Sequence, residues 1–475
     1  MKSMTLKTQV LAVLTLFGCV ALGNVYLPLS AYAQPSNNAS SSTPESTGAI
    51  EVKSSILATI GHHPQIKALQ ENRQAAIHDV SRARSGWLPR IDARAGYGAE
   101  QVNDSTTRSV TGQKTNTYYD RTEASLTFQQ TLWDGMSTWN RVEQGQATLE
   151  SVESRLLDNT EGLSLDAIRA HIEVARQRRI VALSERNIQN HKDILESQKQ
   201  RQRLGASSLA DVTQTEGRLA RAQASLAENY STLEIAVANY KRLTGKEPTD
   251  LLPASMPAGA YPSLDAALAS ARTNNPKVKA GMADIKVADA QIEIGKANFH
   301  PQIYIDGGPY YRWRVDSSET YAWGNSVMLR ASWNLFDGFY DWYNFKGNRA
   351  RLRQSRETLV DTYESLAETT ESTWSQLISA REQARYFSNA VEFNTQTRDM
   401  YLEQFNLGER SLLDVLDAEN ELYSSSIQLV TATQNEIVAQ YRLLALGGEL
   451  LKEFGINPAL YMVDADKRAN ERQER

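Results

Sequence analysis

Two halves of this chain repeat each other at a nearly fixed distance. Pro64 and Pro89 recur 212 positions later as Pro276 and Pro301. The apolar positions around them stay in step: Ile56 with Leu268, Ile66 with Val278, Val80 with Ile292, Ile91 with Ile303. The spacing then drops once, to 203: Asp134-Gly135 matches Asp337-Gly338, Leu204-Gly205 matches Leu407-Gly408, Asp211-Val212 matches Asp414-Val415, and Gly245 matches Gly448. A single difference of nine residues (212 − 203), lying between about residues 98 and 125, separates two copies of one supersecondary unit. Any fold must therefore be built from that unit twice.

The first residues stand outside the repeat. Lys2 and Lys7 precede an apolar run from Val10 to Leu22, and Ala31-Tyr32-Ala33 then gives the small-x-small pattern of a signal-peptidase site. Residues 1–33 read as a cleaved secretory signal, with Ala21-Leu22-Gly23 as the alternative cleavage site. The one cysteine, Cys19, lies inside that segment, so disulfides and cysteine metal sites are excluded from the mature chain. Residues 34–49 are polar and of low complexity, the composition of a disordered leader.

The formal charge is −5, and −7 without Lys2 and Lys7, which argues against a nucleic-acid partner. Mean hydropathy is −0.48. After the signal no apolar run is long enough for a spanning helix, so entry into a membrane would require β-strands. The six histidines, at 62, 63, 78, 171, 191 and 300, form no HExxH pair, and no phosphate loop or nucleophile elbow accompanies them. An enzyme, a cofactor and a resident metal are all unexpected. His62-His63 before Pro64 reads as a helix break.

Helix-period segments dominate the rest. Residues 50–88 form a helix interrupted at His63-Pro64 and ended by Leu88-Pro89, because the residue before proline is driven from the α region. Residues 136–203 and 339–406 contain no proline. At ~1.5 Å per residue each would extend roughly 100 Å, a length that needs coiled-coil packing. Gly205 and Gly408 let the chain reverse, Ser208 and Ser411 cap the returning helices, and these end at Gly245 and Gly448. In each half, the first and returning helices together match the length of the long one.

Four segments switch to a two-residue period: about 91–102, 117–132, 302–315 and 322–335. Ile91, Ala93, Ala95 and Tyr97 alternate with Asp92, Arg94, Gly96 and Gly98. Val327, Leu329, Ala331, Trp333 and Leu335 alternate with Ser326, Arg330, Ser332 and Asn334. A half-buried soluble sheet gives the same alternation. The secretory signal and the aromatic residues at the strand ends favour a membrane barrel. Four strands cannot close one, because barrels begin at about eight, so the chain must pool strands with copies of itself; three copies would give twelve.

The expected fold is thus mainly α with membrane β-strands, a duplicated helix-strand-strand-helix-helix unit. The first repeat covers 50–248, a linker 249–263, the second repeat 264–450, and a tail 451–475. The His-Pro and Leu-Pro breaks, Leu132-Trp133-Asp134-Gly135, Leu335-Phe336-Asp337-Gly338, and Leu407-Gly408 through Asp414-Val415-Leu416-Asp417 together resemble the TolC-type outer-membrane factors. The resemblance spans about residues 50–450. It implies a homotrimer with a twelve-strand barrel in outer-membrane lipid and an α-helical tunnel through the periplasm. Its partners would be a periplasmic adaptor (membrane fusion protein) and an inner-membrane transporter.

The resemblance also assigns residues. Asp414 and Asp417 match the acidic ring of the periplasmic aperture. Asp414 equally fits a capping role, as Asp211 does after Ser208, whereas Asp417 has Gln214 as its repeat partner and no capping reason to be acidic. Arg410 matches a gate arginine that pairs with an acid at the position of Asp211. Phe405 stands where the family has a tyrosine, and Ala210 where its best-known member has a threonine. Leu204, Gly205, Leu407 and Gly408 form the tips that would meet the adaptor. The expected function is export of a protein through a type I secretion system. Drug or metal efflux through the same duct is the alternative, and a periplasmic coiled-coil adaptor the alternative of another class.

Overall fold

The computed structural model describes residues 51–101, 118–205, 207–315 and 321–457. The expected signal and leader, parts of both strand-connecting loops and most of the tail lie outside the described residues. In the first repeat, α1 (Val52–His62), α2 (Pro64–Arg84) and a 3-10 turn lead into β1 (Arg90–Glu100) and β2 (Tyr119–Trp133). Helices α3 (Ser137–Arg203) and α4 (Leu209–Thr244) complete it. The second repeat has α5 (Leu264–Asn274), α6 (Pro276–Ala297), β3 (Gln302–Trp313), β4 (Tyr321–Ser332), α7 (Tyr340–Leu407) and α8 (Leu412–Leu446). A short α9 (Leu450–Glu453) follows.

The helix breaks follow local chemistry. His63 is extended between α1 and α2, and Pro64 occupies the first turn of α2, where its missing N–H costs nothing. Ser208 and Ser411 cap α4 and α8 by accepting from the backbone N–H of Asp211 and Asp414. The two Asp-Gly motifs are strand-to-helix turns. Gly135 and Met136, like Gly338 and Phe339, hold positive φ in succession. Asp134 then accepts from the Thr138 N–H at 2.8 Å, and Asp337 from the Asp341 N–H at 2.8 Å. These carboxylates satisfy donors that the first helical turn leaves open.

Helices α1 and α2 lie with α4 along α3, while α5 and α6 lie with α8 along α7. Helices α6 and α8 also pack against α3, so they separate the two long helices. The main apolar cluster sits near the middle of α3. There Leu156, Ile168 and Ile172 meet Ile56 and Ile66 of the first helices, Tyr240 and Leu243 of α4, and Leu444, Leu450 and Leu451. The start of the expected tail is therefore docked core: Leu451 and Ile456 are buried, as is Leu450 just before them.

A buried hydrogen-bond chain fixes the same region. The His171 Nε2–H donates to the Leu252 carbonyl at 2.7 Å, leaving Nδ1 to accept from the Ser55 hydroxyl at 3.0 Å. The Ser55 oxygen in turn lies 2.8 Å from the Tyr240 hydroxyl. Burial holds the His171 pKa below its ordinary value, with the Leu252 carbonyl opposing. His171 is a structural tie between α1, α3, α4 and the linker.

The sheet is antiparallel in the order β1-β2-β3-β4, with β2 and β3 joining the repeats. Strand β4 ends at Ser332, so Trp333 and Leu335 lie beyond it, because the chain turns there towards the Asp337-Gly338 reversal. At Gly308 the strands approach so closely that a Cβ would lie 1.9 Å from the Leu126 carbonyl oxygen.

Candidate functional site: the two-faced sheet and the helical tips

The sheet register gathers the alternating residues into two faces. Ile91 faces Phe128, Ala93 faces Leu126, Ile303 faces Ala331, Ile305 faces Leu329, and Trp313 faces Tyr321. This apolar face is open: Leu329 is 68% exposed and Trp323 74%. The other face carries ion pairs, Arg330 with Asp306 at 2.6 Å and Arg121 with Glu100 and Glu123 at 2.8 Å each. Apolar side chains left uncovered opposite a charged face suit lipid on one side and water on the other. Among the described residues strands β1 and β4 each have one neighbour, so both edges offer backbone donors and acceptors to further strands.

At the far end, the loops after α3 and α7 form two tips. Gly205 and Gly408 are left-handed, with φ of 78° and 84°. Leu204 and Leu407 project from the tips, 84% and 76% exposed. Below them Phe405, Leu412, Val415 and Leu416 form a small buried cluster.

The expected aperture residues divide among separate contacts. Asp211 closes a capping box with Ser208 and accepts from the Ser207 hydroxyl at 3.1 Å. The Ser208 hydrogen bonds hold the Asp211 carboxyl below its ordinary pKa. Asp414 accepts from the Ser411 hydroxyl at 2.8 Å. Arg410 stays on its own hairpin, 3.0 Å from Gln404 Oε1, 3.8 Å from Asp414 and 4.1 Å above the Tyr401 ring. Within one chain the structure therefore does not bring Arg410 and Asp211 together: Asp211 closes its own capping box, and Arg410 is held by Gln404, Asp414 and Tyr401 of its own hairpin. Asp417 pairs with Arg218 of α4 at 2.7 Å.

Sequence reasoning missed two arginines here. Arg201, near the end of α3, donates to the Phe405 carbonyl at 3.2 Å and lies 4.4 Å over the Phe405 ring. It satisfies a terminal carbonyl of α7 where the helix dipole favours a cation. Arg218 has a legible signal: its partner 203 positions on is Glu421, so Gln214 and Arg218 face the comparison Asp417 and Glu421. One repeat is neutral or basic where the other is acidic.

This architecture is that of an outer-membrane channel protein. The chain belongs to the outer membrane efflux protein family, whose model matches residues 57–246 and 267–449. It is an outer-membrane channel extending into the periplasm and has no enzymatic role. The outer membrane efflux protein BepC of Brucella suis is 25% identical over 82% of this chain and 84% of its own length. Outer membrane protein TolC of Vibrio cholerae is 24% identical, covering 82% and 89%. The alkaline protease secretion protein AprF of Pseudomonas aeruginosa is 23% identical, covering 82% of each. The crystal structure of the Campylobacter jejuni CmeC outer membrane channel matches the fold with a TM-score of 0.75 at 12% identity, over 94% of this chain and 99% of that one.

Proposed function

We propose that this channel is the outer-membrane duct of a type I secretion system, passing a protein from an inner-membrane ABC transporter and periplasmic adaptor to the exterior. One observation carries the conducting role. A four-stranded sheet with an open apolar face, a charged face and two free edges stands on helices of 67 and 68 residues. Three copies would supply twelve strands and remove every edge.

In that homotrimer Asp414 and Asp417 ring the periplasmic aperture, one helical turn apart on each α8. The aperture attracts cations and disfavours anions. Phe405 and Arg410 brace this end from inside each chain, and any Arg410 to Asp211 pair forms between copies. Exposed Leu204 and Leu407, presented by Gly205 and Gly408, are the surface offered to the adaptor.

The Leu-Trp-Asp-Gly and Leu-Phe-Asp-Gly motifs and the name of AprF support protein cargo. The name of BepC, an outer membrane efflux protein, supports the second reading, a duct for drug or metal efflux. Deleting the gene separates them: loss of a large exoprotein from the medium with unchanged drug sensitivity is expected, and the reverse pattern would establish efflux instead. In planar bilayers, replacing Asp414 and Asp417 with alanine should reduce cation selectivity. An unchanged reversal potential across a salt gradient rules out the acidic ring.

A further inference from the structure

One face of α8 changes charge along its length. Asp414, Glu421, Gln428, Asn435 and Arg442 recur every seven residues, so on an α-helix they form a stripe that winds by only ~20° per heptad. All five are exposed or partly exposed. The stripe spans about 42 Å, taken as 28 residues at ~1.5 Å each, and runs from acid at the tip to arginine near the middle of the molecule. Ile437, Tyr441 and Leu444 occupy another face of α8, buried in the cluster that includes α9.

Arg442 opens into a groove of about 630 Å³. Its walls include Arg169 of α3, Ser372, Ser375 and Ser379 of α7, and Asn435 of α8. Helices α3 and α7 lie on either side of α8, so residues from both reach this groove only across one of its faces. No carboxylate lines it among the described residues. Arg169 has Asp166 at 3.6 Å, whereas Arg442 makes no ion pair or hydrogen bond among the described residues. Burial lowers the Arg169 pKa, and the Arg442 charge acts in the same direction against Asp166.

The duplication supplies a control. The repeat partners of Ser372, Ser375 and Ser379 are Arg169, Ile172 and Arg176. The second repeat has small hydroxyl side chains where the first has long or bulky ones. That substitution leaves space lined by donors between two guanidinium groups, a combination suited to an oxyanion.

We propose that this groove is a binding site for polyvalent carboxylate anions inside the duct, with Arg169 and Arg442 as the charged ligands and the Ser372 and Ser379 hydroxyls as further donors, the Ser375 hydroxyl already donating to the Glu371 carbonyl at 3.0 Å. The site rests on the reading that this face of α8 lines the duct. Along α8 itself, Arg442 is the first basic residue after the acidic start of the helix.

Citrate block of single channels in planar bilayers tests the site with the full-length protein. The wild type should show concentration-dependent block by citrate. Arg442→Gln removes one guanidinium, and Ser375→Glu adds a negative charge at an exposed wall position where folding is not at stake. Each should raise the half-blocking concentration about tenfold or more. Open wild-type pores that citrate does not block, or equal block in the wild type and both variants, would overturn the site while leaving the duct intact. Failure of the wild type to form pores would overturn the duct and the site with it.

Discussion

Glu161 is the residue whose chemistry is least like its sequence context. It is 3% exposed beside the apolar cluster, one carboxylate oxygen accepts from the Leu451 N–H at 3.4 Å, and the other has no partner among the described residues. Burial pushes its pKa from the ordinary 4.5 up to about 8, with the Leu451 and Leu450 N–H groups opposing. Between those values the native chain holds a proton that the unfolded chain has released. Stability from this group is therefore complete below about pH 4.5 and declines as pH rises through about 8. Glu161→Gln, neutral throughout, should flatten that decline, and its melting temperature should exceed the wild type's by more at pH 9 than at pH 5. Parallel pH profiles would mean that Glu161 is not buried as an acid. Asp158, also raised by burial, will leave a residual slope. In the sequence Glu161 is one acid among many in a helical run, and only the docking of α9 distinguishes it.

At the scale of elements, the Asp-Gly turns set where strand becomes helix. Gly135 and Gly338 have nearly equal φ, 68° and 70°, but a Cβ at Gly135 would lie 2.6 Å from the Ala297 carbonyl oxygen, whereas Gly338 has open space. Gly338→Ala should cost roughly 1–2 kcal/mol, the penalty of left-handed backbone for an L-residue. Gly135→Ala should cost clearly more, because the turn must also move away from α6. Thermal or denaturant midpoints of the purified assembly compare the two, and equal losses would contradict the packing at Gly135. The turns were legible because aspartate and glycine each have a local reason to be there. The separation of Arg410 from Asp211 was not, since Asp211 had a nearer partner in its own cap and Arg410 nearer partners on its own hairpin.

At the scale of the molecule, the open apolar face of the sheet suits a lipid surface. Leu329→Arg places a charge on the apolar face and should destabilise the inserted form by about 2–4 kcal/mol at mid-bilayer depth. Ser326→Arg, on the charged face of the same strand, should be tolerated. Outer-membrane fractionation with gel analysis of heat-resistant oligomers distinguishes them, and equal tolerance of both would remove the lipid from that face. The repeat, the two-faced strands, the long helices and their glycine reversals were legible in the residues, because periodicity and backbone preference are local properties. What fills the space between elements depended on the folded chain. It brought Arg201 to Phe405, Arg218 to Asp417, the residues after the second repeat into the core, and two arginines to one groove. Those contacts join residues up to hundreds of positions apart. The duplication predicts that such surfaces exist, but the residues that differ between its two copies decide what each surface does.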